Sequence, residues 1–218
     1  MRHSGLILDD VTISLNRQRL LSVSTIVAPG TVTTVMGPSG CGKSTLLAYA
    51  TGVLEPVFKA RGRVLLDGRD VTALPPEERR LGLLFQDPLL FPHLSVGGNL
   101  SFALPASIKG KAIRRDRIEK ALSQAELAGF AERDPATLSG GQKARVALVR
   151  TLLSNPRALL LDEPFSKLDA SLRAQVRDWV FGAARDTGLP VLLVTHDPAD
   201  AEAAGGPVLQ LGEADTWR

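Results

Sequence analysis

One stretch, Gly37-Pro38-Ser39-Gly40-Cys41-Gly42-Lys43-Ser44, constrains the fold of this 218-residue chain more than any other. It follows Thr31–Met36, a run of β-branched residues, and runs into Lys43–Ala50, which reads as a helix. A strand that ends in a glycine-rich turn and re-enters as a helix is the setting of a Walker A phosphate loop. The glycines let the backbone curl so that its N–H groups point inward at phosphate oxygens, and the helix adds the positive end of its dipole. Lys43 can set an ammonium against the outer phosphates, and Ser44 can offer a hydroxyl to Mg²⁺, a cation that prefers oxygen. A glycine turn that merely precedes a helix is the alternative, and the flanking strand and helix argue against it. Cys41 is then a small residue of the loop, with no redox or catalytic role expected.

The rest of the chain agrees with such a loop. Leu6–Leu8, Leu20–Val27, Gly62–Leu66 and Leu81–Phe85 read as strands, with Asp67-Gly68 as a tight turn. From Ser139 a helix runs to about Leu153, followed by a strand at Ala158–Leu161, a helix at Ala170–Ala184 and a strand at Val191–Thr195. This alternation predicts an α/β fold with a mostly parallel sheet between helices. Val191-Leu192-Leu193-Val194 lacks polar alternation, as a strand covered on both faces should. Between these parts, Ser107–Phe130 is rich in Lys, Arg, Glu and Ala, with Ile113, Ile118, Leu122 and Leu127 at helical spacings. Pro88–Ala136 is therefore read as a helical insertion. Its basic run, Lys109 to Arg115, reads as a solvated helix face rather than a nucleic-acid or lipid patch, because acidic residues are interspersed.

A second acidic position follows the Ala158–Leu161 strand. Asp162 and Glu163 stand at the end of an apolar run, where α/β sheets present ligand groups. Beside a phosphate loop, Asp162 would support Mg²⁺ and Glu163 would take a proton from an attacking water. With one cysteine, no disulfide framework forms and a reducing compartment is expected. A net charge of +3 selects no particular partner. No secretory leader and no membrane-spanning segment is expected, since the apolar runs are strand-sized.

Leu138-Ser139-Gly140-Gly141-Gln142 narrows the class. Its residues describe a second anion site, with Ser139 at a helix N-cap and two glycines allowing close backbone approach. Here the sequence resembles the ABC ATPase family, whose signature is this pentapeptide. The resemblance runs from about Leu6 to about Ala204, nearly the whole chain. It implies a P-loop NTPase of ABC ATPase fold, with an N-terminal antiparallel β part and a helical subdomain. The implied boundaries are a core of residues 1–87 and 137–218 and a helical part of about 88–136. It implies ATP hydrolysis with Mg²⁺, with Glu163, His196, Gln86 and Lys43 as catalytic residues. Residues 37–44, Thr45, Ser139, Gly140, Gly141, Gln142 and Asp169 would bind nucleotide, and Ser44, Gln86 and Asp162 would hold the metal. Gln86 matches the Q-loop glutamine, Ser166-Lys167-Leu168-Asp169 the D-loop, and His196 the switch histidine. His3 and His93 have no such context and are read as ordinary surface or core residues.

In the family, the signature of one subunit meets the phosphate loop of another. A second copy, or a paralogue, is thus the implied partner in an ATP-sandwich dimer. Phe85 to Val96 and Pro75 to Arg80 are similar to segments of bacterial binding-protein-dependent importers. That likeness implies import of a small solute through separate permease subunits, with a solute-binding protein further out and no nucleic acid. It places the chain on the cytoplasmic face of the membrane, held there by the permease. Leu89, Leu90 and Phe91 would line a groove for a permease helix. An exporter or lipoprotein-release ATPase, and less readily a soluble non-transport ABC ATPase, are the alternatives.

Two departures stand out. Leu15 falls where the family usually has an aromatic residue to stack on adenine, and the single tyrosine, Tyr49, lies downstream. After Asp197 there is sequence for about one more strand, near Val208–Leu211, so no regulatory C-terminal domain is expected.

Overall fold

Alternating burial builds the first part of the chain. In β1 (Leu6–Leu15), Leu6, Leu8, Val11 and Ile13 are buried, as is Thr12, while Ile7 and Asp9 are half-buried and Asp10 is exposed. The strand has ten residues where the sequence predicts Leu6–Leu8, because Asp9-Asp10 interrupts the apolar pattern. Asp10 sits at φ 49°, and the register with both neighbouring strands shifts there, so a bulge carries the charged pair without ending the strand. Asn16 and Arg17, both at positive φ, turn the chain into β2 (Gln18–Val27). The computed structural model describes residues 4–212, and His3 lies outside them.

The remaining elements are β3 (Val32–Met36), α1 (Lys43–Thr51), β4 (Phe58–Leu66), β5 (Arg69–Asp70), α2 (Pro76–Arg79) and β6 (Leu81–Leu84), followed by α3 (Val96–Ala103), α4 (Lys111–Gln124) and α5 (Gly140–Leu153). Then come β7 (Ala158–Asp162), α6 (Ala170–Thr187), β8 (Val191–Val194), α7 (Pro198–Ala204) and β9 (Val208–Gln210). An antiparallel sheet has the order β2-β1-β4-β5, and a second sheet has the order β6-β7-β8-β3-β9. β7, β8, β3 and β9 pair in parallel, as the continuous apolar runs require.

The described residues divide into two compact units. The first holds the residues up to Leu83, Arg157–Glu163 and those from Phe181 on, and the second holds Leu84–Pro156 and Pro164–Val180. The first unit packs both sheets around Leu6, Leu8, Val35, Leu46, Leu160 and Leu192. The second packs α3, α4 and α5 around Val96, Leu100, Leu122, Leu127 and Val146.

The helix expected across Ser107–Phe130 is shorter. Gly110, at φ 94°, starts α4 and Ala125 ends it. Leu127 stays in the core from a turn, its N–H donating to the Leu122 carbonyl at 2.8 Å, while Ile113 is exposed. Helices α2 and α7 were not anticipated, because four and seven residues opened by proline are too few for periodicity to register. No helix among the described residues is long and apolar enough to cross a membrane.

Candidate functional site

Register in the parallel sheet brings the chemistry of the first unit to one edge. Val35, Val194 and Asp162 lie side by side on β3, β8 and β7. Two residues past Val35 the phosphate loop begins, one past Asp162 stands Glu163, and two past Val194 stands His196. All three strands run the same way, so the loop, the carboxylates and the imidazole leave from the same ends, where α/β sheets present ligand groups.

The loop from Gly37 to Gly42 has the backbone its sequence demanded. Gly42 caps α1 at φ 94°, and a side chain there would strike Leu20 and Leu21 at 2.8 Å. A Cβ at Gly37 would stand 2.7 Å from the Leu211 carbonyl. Pro38, Ser39 and Gly40 are exposed, Cys41 is half-buried, Ser44 is exposed and Thr45 is half-buried. Lys43 is buried, and its Nζ donates to the carbonyls of Gly37 at 2.7 Å and Pro38 at 2.9 Å. The ammonium is thus held inside the loop.

Asp162 is buried and accepts a hydrogen bond from the Ser44 hydroxyl. Burial pushes its carboxyl above the ordinary carboxylate range, and the neighbouring Glu163 adds to this. The Ser44 hydrogen bond and the charge of Lys43 pull the other way. A hydroxyl and a carboxylate within hydrogen-bonding reach of each other form the oxygen donor pair a hard divalent cation takes, so Ser44 and Asp162 fit Mg²⁺.

Glu163 has a left-handed backbone, φ 46°, while its N–H still donates to the Val194 carbonyl at 2.9 Å. The sheet bond holds the residue while the reversed φ swings its carboxyl away from the strand direction. Such a conformation costs about 1–3 kcal/mol and persists only where neighbours impose it. Its Oε1 lies 3.0 Å from His196 Nδ1. An ionised carboxylate only accepts, so Nδ1 carries the hydrogen when Glu163 is charged. His196 is flanked by fixed residues. The Thr195 hydroxyl donates to buried Asp200 at 3.1 Å, and Asp197 caps α7.

The second unit carries the other expected residues. Ser139 caps α5 in a reciprocal box. Its Oγ accepts from Gln142 N at 3.2 Å, and Gln142 Oε1 accepts from Ser139 N at 2.9 Å. Helix geometry leaves the N–H groups of Gly140 and Gly141 without intrahelical acceptors. A Cβ at Gly141 would meet the Lys167 carbonyl at 3.2 Å, so the glycine admits the loop of residues 166–169. Asp169 accepts from Leu172 N at 3.0 Å at the start of α6. Gln86 is exposed at the end of β6. Leu90 packs into the core of this unit rather than outward, whereas Phe85, Leu89 and Phe102 are exposed. Phe91 stacks edge-on with Phe102, ring centres 5.1 Å apart, and His93 packs beside it.

Leu15 ends β1 opposite Gln18 and Phe58. Tyr49 is engaged elsewhere, its hydroxyl donating to the Gly62 carbonyl at 2.8 Å. Burial pushes that hydroxyl above its ordinary range. Arg79 is a residue sequence reasoning passed over. It is buried and donates to the carbonyls of Leu74, Thr72, Tyr49 and Ala50. Tyr49 and Ala50 belong to the last turn of α1, so a cation closes the negative end of the helix whose other end opens the phosphate loop. Nothing in the sequence separates Arg79 from its exposed neighbour Arg80; only burial does.

Known proteins resemble this chain over most of its length. The family described as ABC transporter matches residues 20–166. The uncharacterized ABC transporter ATP-binding protein YnjD of Escherichia coli K12 is 50% identical over 195 residues, covering 89% of each protein. The spermidine/putrescine import ATP-binding protein PotA of Frankia alni is 47% identical over 82% of this chain and 38% of its own length. The Fe(3+) ions import ATP-binding protein FbpC of Agrobacterium fabrum is 42% identical over 88% of this chain and 54% of its own. The chain thus spans about half or less of these two importer proteins. Among solved structures, the ATP-binding cassette MJ0796, a post-hydrolysis dimer bound to ADP and Pi, superposes with a TM-score of 0.83. The two are 31% identical, and the match covers 94% of each chain.

Proposed function

Because the chain belongs to the ABC transporter family of ATP-binding proteins, we propose that it hydrolyses ATP to drive import of a small solute through separate membrane subunits. The observation that carries the chemistry is the shared level of Val35, Val194 and Asp162, which brings phosphate loop, carboxylates and imidazole to one sheet edge.

The backbone N–H groups of Gly40 to Lys43 and the Lys43 ammonium receive the phosphates. Ser44 and Asp162, with Gln86 assigned by the family pattern, would hold Mg²⁺, which when bound neutralises charge on the transferred phosphoryl group. Glu163 takes the proton of the attacking water. His196 orients that carboxylate through its Nδ1–H and assists at the γ-phosphate. A second copy supplies Ser139 to Gln142 and Asp169 to complete the site, as the dimeric MJ0796 cassette encourages. The exposed apolar side chains of Phe85, Leu89 and Phe102 form the surface a permease helix would cover, at the cytoplasmic face of the membrane. The importer reading draws on the printed functions of PotA and FbpC, and a solute-binding protein would complete that system.

The test is Glu163→Gln. The variant is expected to bind ATP as tightly as the wild type while turnover falls by about 10²–10⁴-fold, the usual contribution of a general base. Phosphate release and nucleotide binding, measured side by side, check it. Hydrolysis at the unsubstituted rate removes Glu163 from the mechanism.

A further inference from the structure

Helix α5 has the Ser139–Gln142 turn at one end and Arg150 in its last turn. Arg150 is half-buried and donates from both terminal nitrogens to the backbone that follows Gln86. Nη1 meets the Leu89 carbonyl at 2.8 Å and Nη2 the Pro88 carbonyl at 3.0 Å. The guanidinium also lies 5.8 Å from the centre of the Phe91 ring. Leu89 sits at φ 45°, a conformation that its surroundings must impose.

Two further contacts hold the same segment. Lys167 pairs with Asp87 at 3.0 Å. Asn99, fully buried in α3, accepts from Phe91 N at 2.8 Å and donates to the carbonyls of Phe91 and Ser95 at 3.1 and 3.0 Å. The Lys167–Asp87 pair is exposed, so water and salt weaken it. The Arg150 contact is a planar fork on two carbonyls, which a lysine cannot reproduce. Arg150 is therefore the stronger tether.

We propose that Arg150 is a positioning residue for hydrolysis: its two hydrogen bonds make the Gln86–Phe91 segment move as one piece with the helix that carries the Ser139–Gln142 turn. The proposal rests on the reading of Gln86 and that turn as parts of the ATP site. An untethered segment would leave nucleotide affinity in place and blur the placement of Gln86, a defect that appears in kcat rather than KM.

Steady-state ATP hydrolysis and amide hydrogen exchange on the full chain test this with wild type, Arg150→Ala, Arg150→Lys and Lys167→Ala. Arg150→Ala is expected to lower kcat about tenfold with KM for ATP within about twofold. Exchange across residues 87–91 should rise while β7 and β8 keep their protection. Arg150→Lys should recover part of the loss, and Lys167→Ala should cost about twofold. Arg150→Ala at wild-type kcat overturns the proposal. So does a kcat loss that comes with raised exchange throughout the chain and that lysine does not restore. If Arg150→Ala fails to fold, Arg150→Met and Arg150→Gln, which keep the aliphatic stem and lose the fork, decide. Raised exchange at residues 87–89 with lower kcat supports the tether, and no change in either variant overturns it. A wild-type protein without turnover removes the ATPase reading and this proposal with it, whereas an active wild type matched by Arg150→Ala removes the proposal alone.

Discussion

Asp162 pits stability against function at a single carboxyl. Its burial raises the folded pKa above the unfolded value, so the folded protein keeps this proton to higher pH than the unfolded chain does. Below the ordinary carboxylate value the group is protonated in both states and costs nothing. As pH rises from that value through the raised folded one, ionisation favours unfolding, and the penalty is complete above it. Asp162→Asn is expected to raise the Tm of the nucleotide-free protein at neutral pH by a few degrees and to flatten its acid-side stability profile. The same change should abolish magnesium-dependent hydrolysis. Thermal scans from pH 4 to pH 8, with ATPase assays beside them, check both halves; a lowered Tm would show that the charge is not the costly element. The place of this residue, at the end of an apolar strand, was legible in advance from the run Ala158–Leu161. The Ser44 hydrogen bond was not, since residues 44 and 162 meet only through the sheet. Arg79 was illegible for a related reason: its partners are carbonyl groups, which leave no trace in side-chain identity.

At the scale of the element, β3 holds an unresolved cost. The Oγ1 atoms of Thr33 and Thr34 are buried without a hydrogen-bond partner among the described residues. Thr34 lies between Leu193 of β8 and Val208 of β9, in the strand that delivers the phosphate loop. A buried hydroxyl left unpaired costs about 1–3 kcal/mol, and valine has nearly its shape. Thr34→Val should therefore stabilise the protein by about 1 kcal/mol and raise Tm by roughly 2–4 °C. Urea denaturation settles the sign, and destabilisation would mean that the hydroxyl is paired in solution. The β-branched pattern of residues 31–36 made this strand readable, as the apolar runs did for β7 and β8. Elements whose register depends on a bulge, such as β1, or whose length is one or two turns, such as α2 and α7, lie below what periodicity resolves. The helical unit was readable as helical, but its ends were set by Gly110 and by the turn at Leu127, where tertiary packing overrides spacing.

For the molecule as a whole, the proposed function makes the complete site one that two chains would share. Glu163→Gln with Mg·ATP should pass from monomer to dimer in analytical ultracentrifugation, and Ser139→Trp in the same background should remain monomeric. A bulky residue at position 139 that leaves both association and wild-type turnover intact would refute shared sites. The common level of β3, β8 and β7 has one further consequence. A residue added to or removed from any of these strands would carry its chemical group along the sheet by about 3.3 Å and point it toward the opposite face. Single-residue indels in these three short runs should thus yield folded, inert proteins, while apolar exchanges at the same positions pass unnoticed. Variation among natural versions of this chain should lengthen the connecting loops and leave the spacing inside the strands untouched.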